Sequence, residues 1–202
     1  VEDDERIRVH FEARVASVST GSRLAEVVLE DGRRFEAPLL VAADSRFSST
    51  RRALGVPVAM HDFGKTMLVC RVRLGRDHGG VAWEWFGEGQ TRALLPLNGG
   101  LASAVLTVPG AEAARLRALD AGAFSRELEE RYRGRFGSMA LEGEVHAYPL
   151  VATWAHRFAG QRFALVGDAA VGMHPVTAHG FNLGLASVER LASAVADSMA
   201  RH

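Results

Sequence analysis

The sequence is poor in features that mark several classes of protein. Its 202 residues contain one cysteine, Cys70, so no internal disulfide can form, and no cysteine and histidine spacing matches a zinc site. Lysine plus arginine and aspartate plus glutamate both total 24, which leaves no basic excess for nucleic acid and favours a small-molecule partner. No apolar run approaches the roughly 20 residues that a membrane-spanning helix needs. The acidic residues 1–6 are unlike a signal peptide, so a cytoplasmic globular protein is expected.

A glycine-rich dinucleotide-binding turn is also missing. No Gly-x-Gly-x-x-Gly segment stands between a predicted strand and a predicted helix. The nearest approach, residues 87–92, lacks the third glycine and lies between two strand-like segments, so we reject it as a phosphate-binding turn.

The most informative stretch runs from residue 162 to residue 187. A short apolar run at 163–166 predicts a buried strand, and Gly167-Asp168 ends it. Pro175 and Gly180 interrupt regular structure, after which apolar residues recur at helical spacing: Phe181, Leu185, Val188, Leu191, Ala192, Val195 and Met199. The order is strand, carboxylate, loop and long helix. A carboxylate at a strand end can accept hydrogen bonds from ribose or ribitol hydroxyls. The unpaired N–H groups at a helix start suit an electron-rich ligand group.

A second stretch has the same order. The apolar run 39–43 predicts a strand buried on both faces of a mainly parallel sheet, and Asp44 follows it. Ser48 or Ser49 is placed to cap a short helix that ends at Leu54. We therefore expect Asp44 and Asp168 to end neighbouring strands and to open into one groove.

Both stretches resemble motifs of one enzyme family, the FAD-dependent aromatic hydroxylases of the para-hydroxybenzoate hydroxylase type, and most closely its ubiquinone-ring branch. The later stretch matches the pattern Gly-Asp-Ala-Ala-His-x-x-x-Pro-x-x-Gly-Gln-Gly-x-Asn at Gly167, Asp168, Ala169, Ala170, Pro175, Gly180 and Asn182. It departs from the family at Val171, Ala178, His179 and Ser187. The earlier stretch matches Asp-Gly-x-x-Ser-x-x-Arg at Asp44, Ser48 and Arg51, with Ser45 in place of a glycine that adopts this backbone freely.

The resemblance implies a flavoenzyme with FAD as cofactor and NAD(P)H as co-substrate, which hydroxylates an electron-rich aromatic or quinol ring through a flavin C4a-hydroperoxide. It implies a cofactor site made of Asp44, Arg51, Gly167, Asp168, Pro175, Gly180, Phe181 and Asn182. The resemblance implies no catalytic side chain and no metal site. We interpret His174 and His179 as orienting groups rather than as general acids or bases. The resemblance leaves three questions open: whether the substrate is polyprenylated, whether the protein forms an oligomer, and whether it contacts a membrane peripherally.

The predicted fold class is α/β with a mixed α+β character, in which an antiparallel substrate domain is inserted into part of an FAD-binding fold. We predict FAD-binding segments at 1–55 and 151–202 and a substrate domain at 56–150. The first segment begins with a long bent strand at 7–19 and contains a hairpin at the Asp31-Gly32 turn. In the substrate domain, strands near 66–108 precede two helices that break near residue 121, and another strand follows at 144–150. Trp83, Trp85 and Cys70 are assigned to the core.

Two other classes of function stay open at the level of sequence. An FAD-dependent reductase or halogenase shares the same nucleotide fold, and a non-catalytic module is consistent with the absence of the glycine-rich turn. We expect the chain to be the C-terminal part of a longer enzyme, because the family carries that turn at its start and this sequence begins at Val1.

The missing turn leads to a prediction about flavin binding. We expect the isolated 202 residues to bind FAD weakly or not at all, because no glycine-rich turn is present to hold the pyrophosphate. The absorbance spectrum of the purified chain measures this. A yellow protein with stoichiometric flavin would contradict the prediction.

Overall fold

The computed structural model describes residues 4–87, 89–175 and 179–201. In chain order its strands are β1 (Val15–Thr20), β2 (Ala25–Leu29), β3 (Arg34–Ala37), β4 (Leu40–Ala42), β5 (Val58–Leu74), β6 (Trp83–Gly87), β7 (Gln90–Pro96), β8 (Leu101–Pro109), β9 (Met139–Ala155), β10 (Ala159–Gly160), β11 (Phe163–Leu165) and β12 (Val171–Gly172). The helices are α1 (Ser49–Ala53), α2 (Gly110–Arg117), α3 (Ala121–Arg131) and α4 (His179–Ala200).

The chain divides into two units. The flanking unit consists of Val1–His61 and Val151–His202, and the inserted unit is Asp62–Leu150. The chain passes from one unit to the other within β5 and returns within β9. The assignment of an FAD-binding role to the flanking unit and of a substrate-binding role to the inserted unit stays a prediction.

The first sheet of the flanking unit is an antiparallel meander of β1, β2 and β3. The Asp31-Gly32 turn closes the β2–β3 hairpin, and Gly32 takes the left-handed conformation (φ 87°) that glycine adopts without strain. The prediction that this strand begins at Ile7 is wrong, because β1 begins only at Val15. Ile7 and Phe11 are 46% and 72% exposed, so their alternation is not matched by burial on a sheet face.

The second sheet of the flanking unit contains the parallel strand pair on which the predicted site depends. Its order is β10-β11-β4, and β11 runs parallel to β4, with Phe163 opposite Leu40 and Leu165 opposite Ala42. The prediction of a strand at 39–43 buried on both faces needs correction. β4 is three residues long, and Val41 is 44% exposed beside the buried Ala42.

The inserted unit is a sheet in the order β9-β5-β8-β7-β6 with α2 and α3 packed on it. Strands β5, β8, β7 and β6 pair antiparallel, as predicted. Phe124 and Leu128 of α3 are buried in its core beside Leu106 of β8. The break between the helices lies at 118–120, next to the predicted position. The Asp120 carboxylate accepts the Ala123 N–H at 2.8 Å and caps the start of α3.

The aromatic and thiol assignments in this unit are confirmed. Trp83 and Trp85 stack with an interplanar angle of 7° and pack against the buried core. The Arg135 guanidinium lies over the Trp83 ring, with its central carbon 3.9 Å from the ring centroid. Cys70 is buried, and burial raises the pKa of its thiol to about 12, so this residue serves as a small apolar side chain.

The predicted fold class is confirmed: mostly antiparallel sheets combine with helices and with a short parallel pair. Among the described residues, no helix is long and apolar enough to cross a membrane.

Candidate functional site

The candidate site lies in the flanking unit, where β4 and β11 end at the same edge of their sheet. Because the strands are parallel, the residues that follow them leave the sheet on the same side. Asp44 follows β4 by two positions, and Asp168 follows β11 by three positions. The expectation that the two aspartates end neighbouring strands is therefore confirmed.

The Asp44 carboxylate organises the turn into α1. It accepts the Ser48 hydroxyl at 2.5 Å, the Ser49 hydroxyl at 3.2 Å and the Thr50 N–H at 2.9 Å. Burial by itself raises the pKa of the Asp44 carboxyl, but the hydrogen bonds from Ser48 and Thr50 outweigh burial and hold the pKa below its usual value. The residue is a charged acceptor that fixes the first turn of the helix.

Ser48 performs the predicted capping role. It is the N-cap of α1, and its hydroxyl oxygen accepts the Arg51 N–H at 2.9 Å while the same hydroxyl donates to Asp44. The side chain is fully buried, so both hydrogen bonds are shielded from water.

Arg51 links the two strand ends. Only 2% of its surface is exposed, and its guanidinium donates to the Ala169 carbonyl oxygen at 2.8 Å and to the Arg46 carbonyl oxygen at 3.1 Å. Burial lowers the pKa of Arg51, and the nearby Asp44 charge opposes that shift. A buried guanidinium that bonds to the turn after β11 serves first to join the two motifs.

Asp168 is held on one side and open on the other. It lies in a 3-10 turn, Gly167–Ala169, which Gly167 enters with a left-handed φ of 56°. Its Oδ2 accepts the Arg46 guanidinium at 3.1 Å, yet 37% of its side chain stays exposed. The carboxylate is thus oriented and still accessible to a ligand.

Sequence reasoning missed Arg46. Its side chain is 20% exposed and donates to Asp168, to the Val151 carbonyl oxygen at 2.7 Å and to the Met173 carbonyl oxygen at 3.1 Å. The residue stands at an unspecified position of the Asp44 motif, and an arginine in a turn usually points into solvent. The sequence carries no local signal for these partners.

The start of α4 packs on the turn that carries Asp168. The Gly167 N–H donates to the Ser187 hydroxyl at 3.3 Å, and that hydroxyl donates to the Gly184 carbonyl oxygen at 2.6 Å. A Cβ on Gly184 would lie 3.5 Å from the Gly167 Cα, so the two backbones are close. Ser187, where the family commonly has aspartate, therefore joins α4 to the turn.

The other predicted site residues surround the start of α4. Pro175 is exposed, and the loop that follows it, including Ala178, lies outside the described residues at 176–178. Gly180 is half-buried, Asn182 is exposed and Phe181 is 80% exposed. The structure brings together the turns that carry Asp44, Arg51, Gly167 and Asp168. The cofactor roles of Pro175, Gly180, Phe181 and Asn182 stay predictions.

An apolar cleft of about 450 Å³ lies beside the parallel pair. It is lined by residues of the β4 and β11 segments and of α4: Leu39, Val41, Val166, Val188, Leu191, Ala192, Val195, Ala196 and Met199. Met199 is 76% exposed, so this face of the helix presents apolar surface. Within the described part of the chain, no group of three or more metal-ligating side chains occurs.

A parallel strand pair with a carboxylate after each strand, next to the start of a long helix, is an arrangement that α/β nucleotide-binding units use. Two solved structures share this fold. CmlS, a flavin-dependent halogenase, superposes with a TM-score of 0.80 at 23% identity, over 98% of this chain and 38% of that one. OxyS anhydrotetracycline hydroxylase from Streptomyces rimosus gives a TM-score of 0.66 at 20% identity, over 88% of this chain and 36% of that one.

The chain belongs to the FAD binding domain family, whose model it matches over residues 2–200. Ubiquinone hydroxylase UbiM of Neisseria meningitidis is 44% identical over 197 residues, which cover 98% of this chain and 43% of the relative. Ubiquinone hydroxylase UbiL of Rhodospirillum rubrum is 37% identical over 185 residues, which cover 89% of this chain and 42% of the relative. The chain thus spans about two fifths of the length of these relatives. The predicted resemblance to the FAD-dependent ring hydroxylases is confirmed.

Ser45 supports a prediction about stability. It takes the left-handed conformation (φ 74°) at a position where the family usually has glycine. We expect Ser45→Gly to raise the free energy of unfolding by about 0.5–1 kcal/mol, because relief of about 1–2 kcal/mol of strain exceeds the entropy cost of a glycine. Urea denaturation measures the change.

The matched control is Ser103→Gly in β8, where the backbone is extended and the same substitution should destabilise by about 0.5–1 kcal/mol. If Ser45→Gly destabilises as much as the control does, the strain argument is wrong.

Proposed function

We propose that this chain forms part of the FAD site and the substrate domain of a flavin-dependent monooxygenase that hydroxylates an electron-rich quinol or aromatic ring. The observation that carries the proposal is the joined pair of strand ends, in which Arg46 and Arg51 tie the Asp44 turn to the Asp168 turn. The relatives named ubiquinone hydroxylase support the choice of a quinol ring.

The residues of the flanking unit fit a flavin nucleotide. FAD presents hydroxyl donors along its ribityl chain and ribose, and the half-exposed Asp168 carboxylate is an acceptor for such a donor. A Cβ added to Gly180 would meet no atom of the described residues within 4 Å, so these residues leave space beside the first turn of α4. The N–H groups of that turn suit the electron-rich pyrimidine end of a flavin ring.

In this proposal FAD, when bound, would supply the redox chemistry of the hydroxylation. The protein side chains orient and bind. Asp168 accepts hydroxyl hydrogens of the cofactor, Asp44 and Ser48 hold the turn into α1, and Arg51 keeps that turn against the turn that carries Asp168. The overall reaction replaces a ring C–H by C–OH, with O₂, NAD(P)H and a proton consumed and NAD(P)⁺ and water released.

The inserted unit is the proposed substrate domain. A polyprenylated quinol would bring the protein to a membrane surface from the cytoplasm, whereas a short aromatic substrate would not. A halogenase is the second candidate, because the fold of CmlS matches over nearly the whole chain.

The activity is tested on the full-length protein loaded with FAD. With NAD(P)H and a short-chain methoxylated quinol, we expect a product that has gained one oxygen atom, and mass spectrometry should show ¹⁸O in it when ¹⁸O₂ is supplied. Omission of the quinol should slow NAD(P)H oxidation. A product that gains chlorine or bromine in the presence of halide, with no oxygen gained, would favour the halogenase instead.

The role of Asp168 is tested by FAD affinity. We expect Asp168→Asn to raise the FAD dissociation constant about tenfold, because a hydrogen bond to a charged acceptor contributes about 1.5–3 kcal/mol. Fluorescence titration of the full-length protein measures it. Asp197→Asn, at an exposed position near the end of α4, is the control and should bind FAD like the wild type. Equal affinities for both variants would remove Asp168 from the site.

A further inference from the structure

Arg46 makes more long-range hydrogen bonds than any other side chain of the described site. Its three acceptors, the Val151 carbonyl oxygen, Asp168 Oδ2 and the Met173 carbonyl oxygen, lie 105, 122 and 127 positions away in sequence. They belong to three separate segments of the flanking unit: the end of β9, the turn after β11, and the residue after β12. A single guanidinium therefore ties the Asp44 turn to all of them.

The packing around Arg46 depends on a small residue. A Cβ built on Gly172 would lie 2.6 Å from Arg46 Nε and 2.9 Å from its Cγ, and 2.7 Å from Thr153 Oγ1. A real Cβ atom does not come this close to a neighbouring heavy atom, so any larger residue would displace the arginine side chain. Gly172 does not have a left-handed φ, and its requirement is therefore steric.

The geometry requires arginine rather than lysine. Guanidinium is planar and carries five N–H donors on three nitrogens, whereas an ammonium presents its donors from one point. Here Nη1 donates to Val151 while Nη2 donates to both Asp168 and Met173. A lysine would keep the charge but could not reach acceptors on both sides at once.

The bond to Asp168 connects this network to the proposed function. Arg46 binds one carboxylate oxygen, Oδ2, which restricts the orientation of a side chain that is still 37% exposed. An acceptor fixed in this way binds a ligand hydroxyl without first losing rotamer freedom. We propose that Arg46 is a positioning residue of the flavin site, which holds Asp168 in the orientation that accepts a cofactor hydroxyl and does not itself touch the cofactor. This inference rests on the proposed function.

The test is a double-mutant cycle on FAD affinity in the full-length protein, with fluorescence titration of FAD as the readout. We expect Arg46→Ala to raise the FAD dissociation constant about tenfold. In an Asp168→Asn background the same substitution should change it less than about twofold, because the residue through which Arg46 acts has already lost its charge. Arg52→Ala, on the exposed side of α1, is the control and should leave the affinity unchanged.

A merely structural arginine would give a different pattern. In that case Arg46→Ala would lower the melting temperature, and it would weaken FAD binding by the same factor whether residue 168 is aspartate or asparagine. Such additive effects on FAD affinity overturn the inference. So does an Arg46→Ala protein that binds FAD like the wild type.

Two further variants keep the test decisive if Arg46→Ala does not fold. Arg46→Lys keeps the charge, and Gly172→Ala keeps the arginine but displaces it, so both should weaken FAD binding several-fold. Normal affinity in either folded variant overturns the inference. A wild-type protein that binds no FAD would defeat the proposed function together with the inference, whereas normal wild-type binding with insensitive Arg46 variants defeats the inference alone.

Discussion

The parallel pairing of β4 with β11 is the constraint on which the candidate site depends. Three facing residue pairs, from Leu40 with Phe163 to Ala42 with Leu165, set two segments of the chain side by side in the same direction. Because both strands end at one edge, the two aspartates that follow them are brought together although 124 positions separate Asp44 from Asp168. An antiparallel pairing would have sent them to opposite edges.

Two arginines turn this proximity into a defined arrangement. Arg51 is almost fully buried and bonds to the backbone after β11, while Arg46 bonds to the Asp168 carboxylate. A buried guanidinium is tolerated because Nη1 and Nη2 donate to carbonyl oxygens and the Asp44 charge lies nearby, although the buried Nε has no hydrogen-bond partner among the described residues. Asp44 is used internally, by Ser48 and Thr50, and Asp168 keeps an accessible oxygen face. The two similar motifs thus differ: the Asp44 carboxylate holds its own turn, and the Asp168 carboxylate is exposed enough to receive a ligand, as the proposed function requires.

Local signals predicted the order of elements well and their extent less well. The apolar run before each aspartate, the Ser48 cap and the Asp31-Gly32 hairpin are all decided by neighbours in sequence, and each is found in the structure. The alternation from Ile7 to Phe11 was misleading, because alternation makes a strand only where a partner strand and a buried face exist. Arg46 was missed for a related reason. Its hydrogen-bond partners are more than one hundred positions away in sequence, so only the tertiary fold shows that this arginine differs from the others.

The central claim is that the two strand ends, joined by Arg46 and Arg51, form one wall of a flavin site. A crystal structure of the full-length protein with FAD bound tests it most directly. The account predicts β4 and β11 as parallel neighbours, the Arg51 guanidinium on the Ala169 carbonyl oxygen, and a cofactor hydroxyl within hydrogen-bond distance of Asp168. Flavin density away from this edge of the sheet, or strand ends that lie apart, would contradict it.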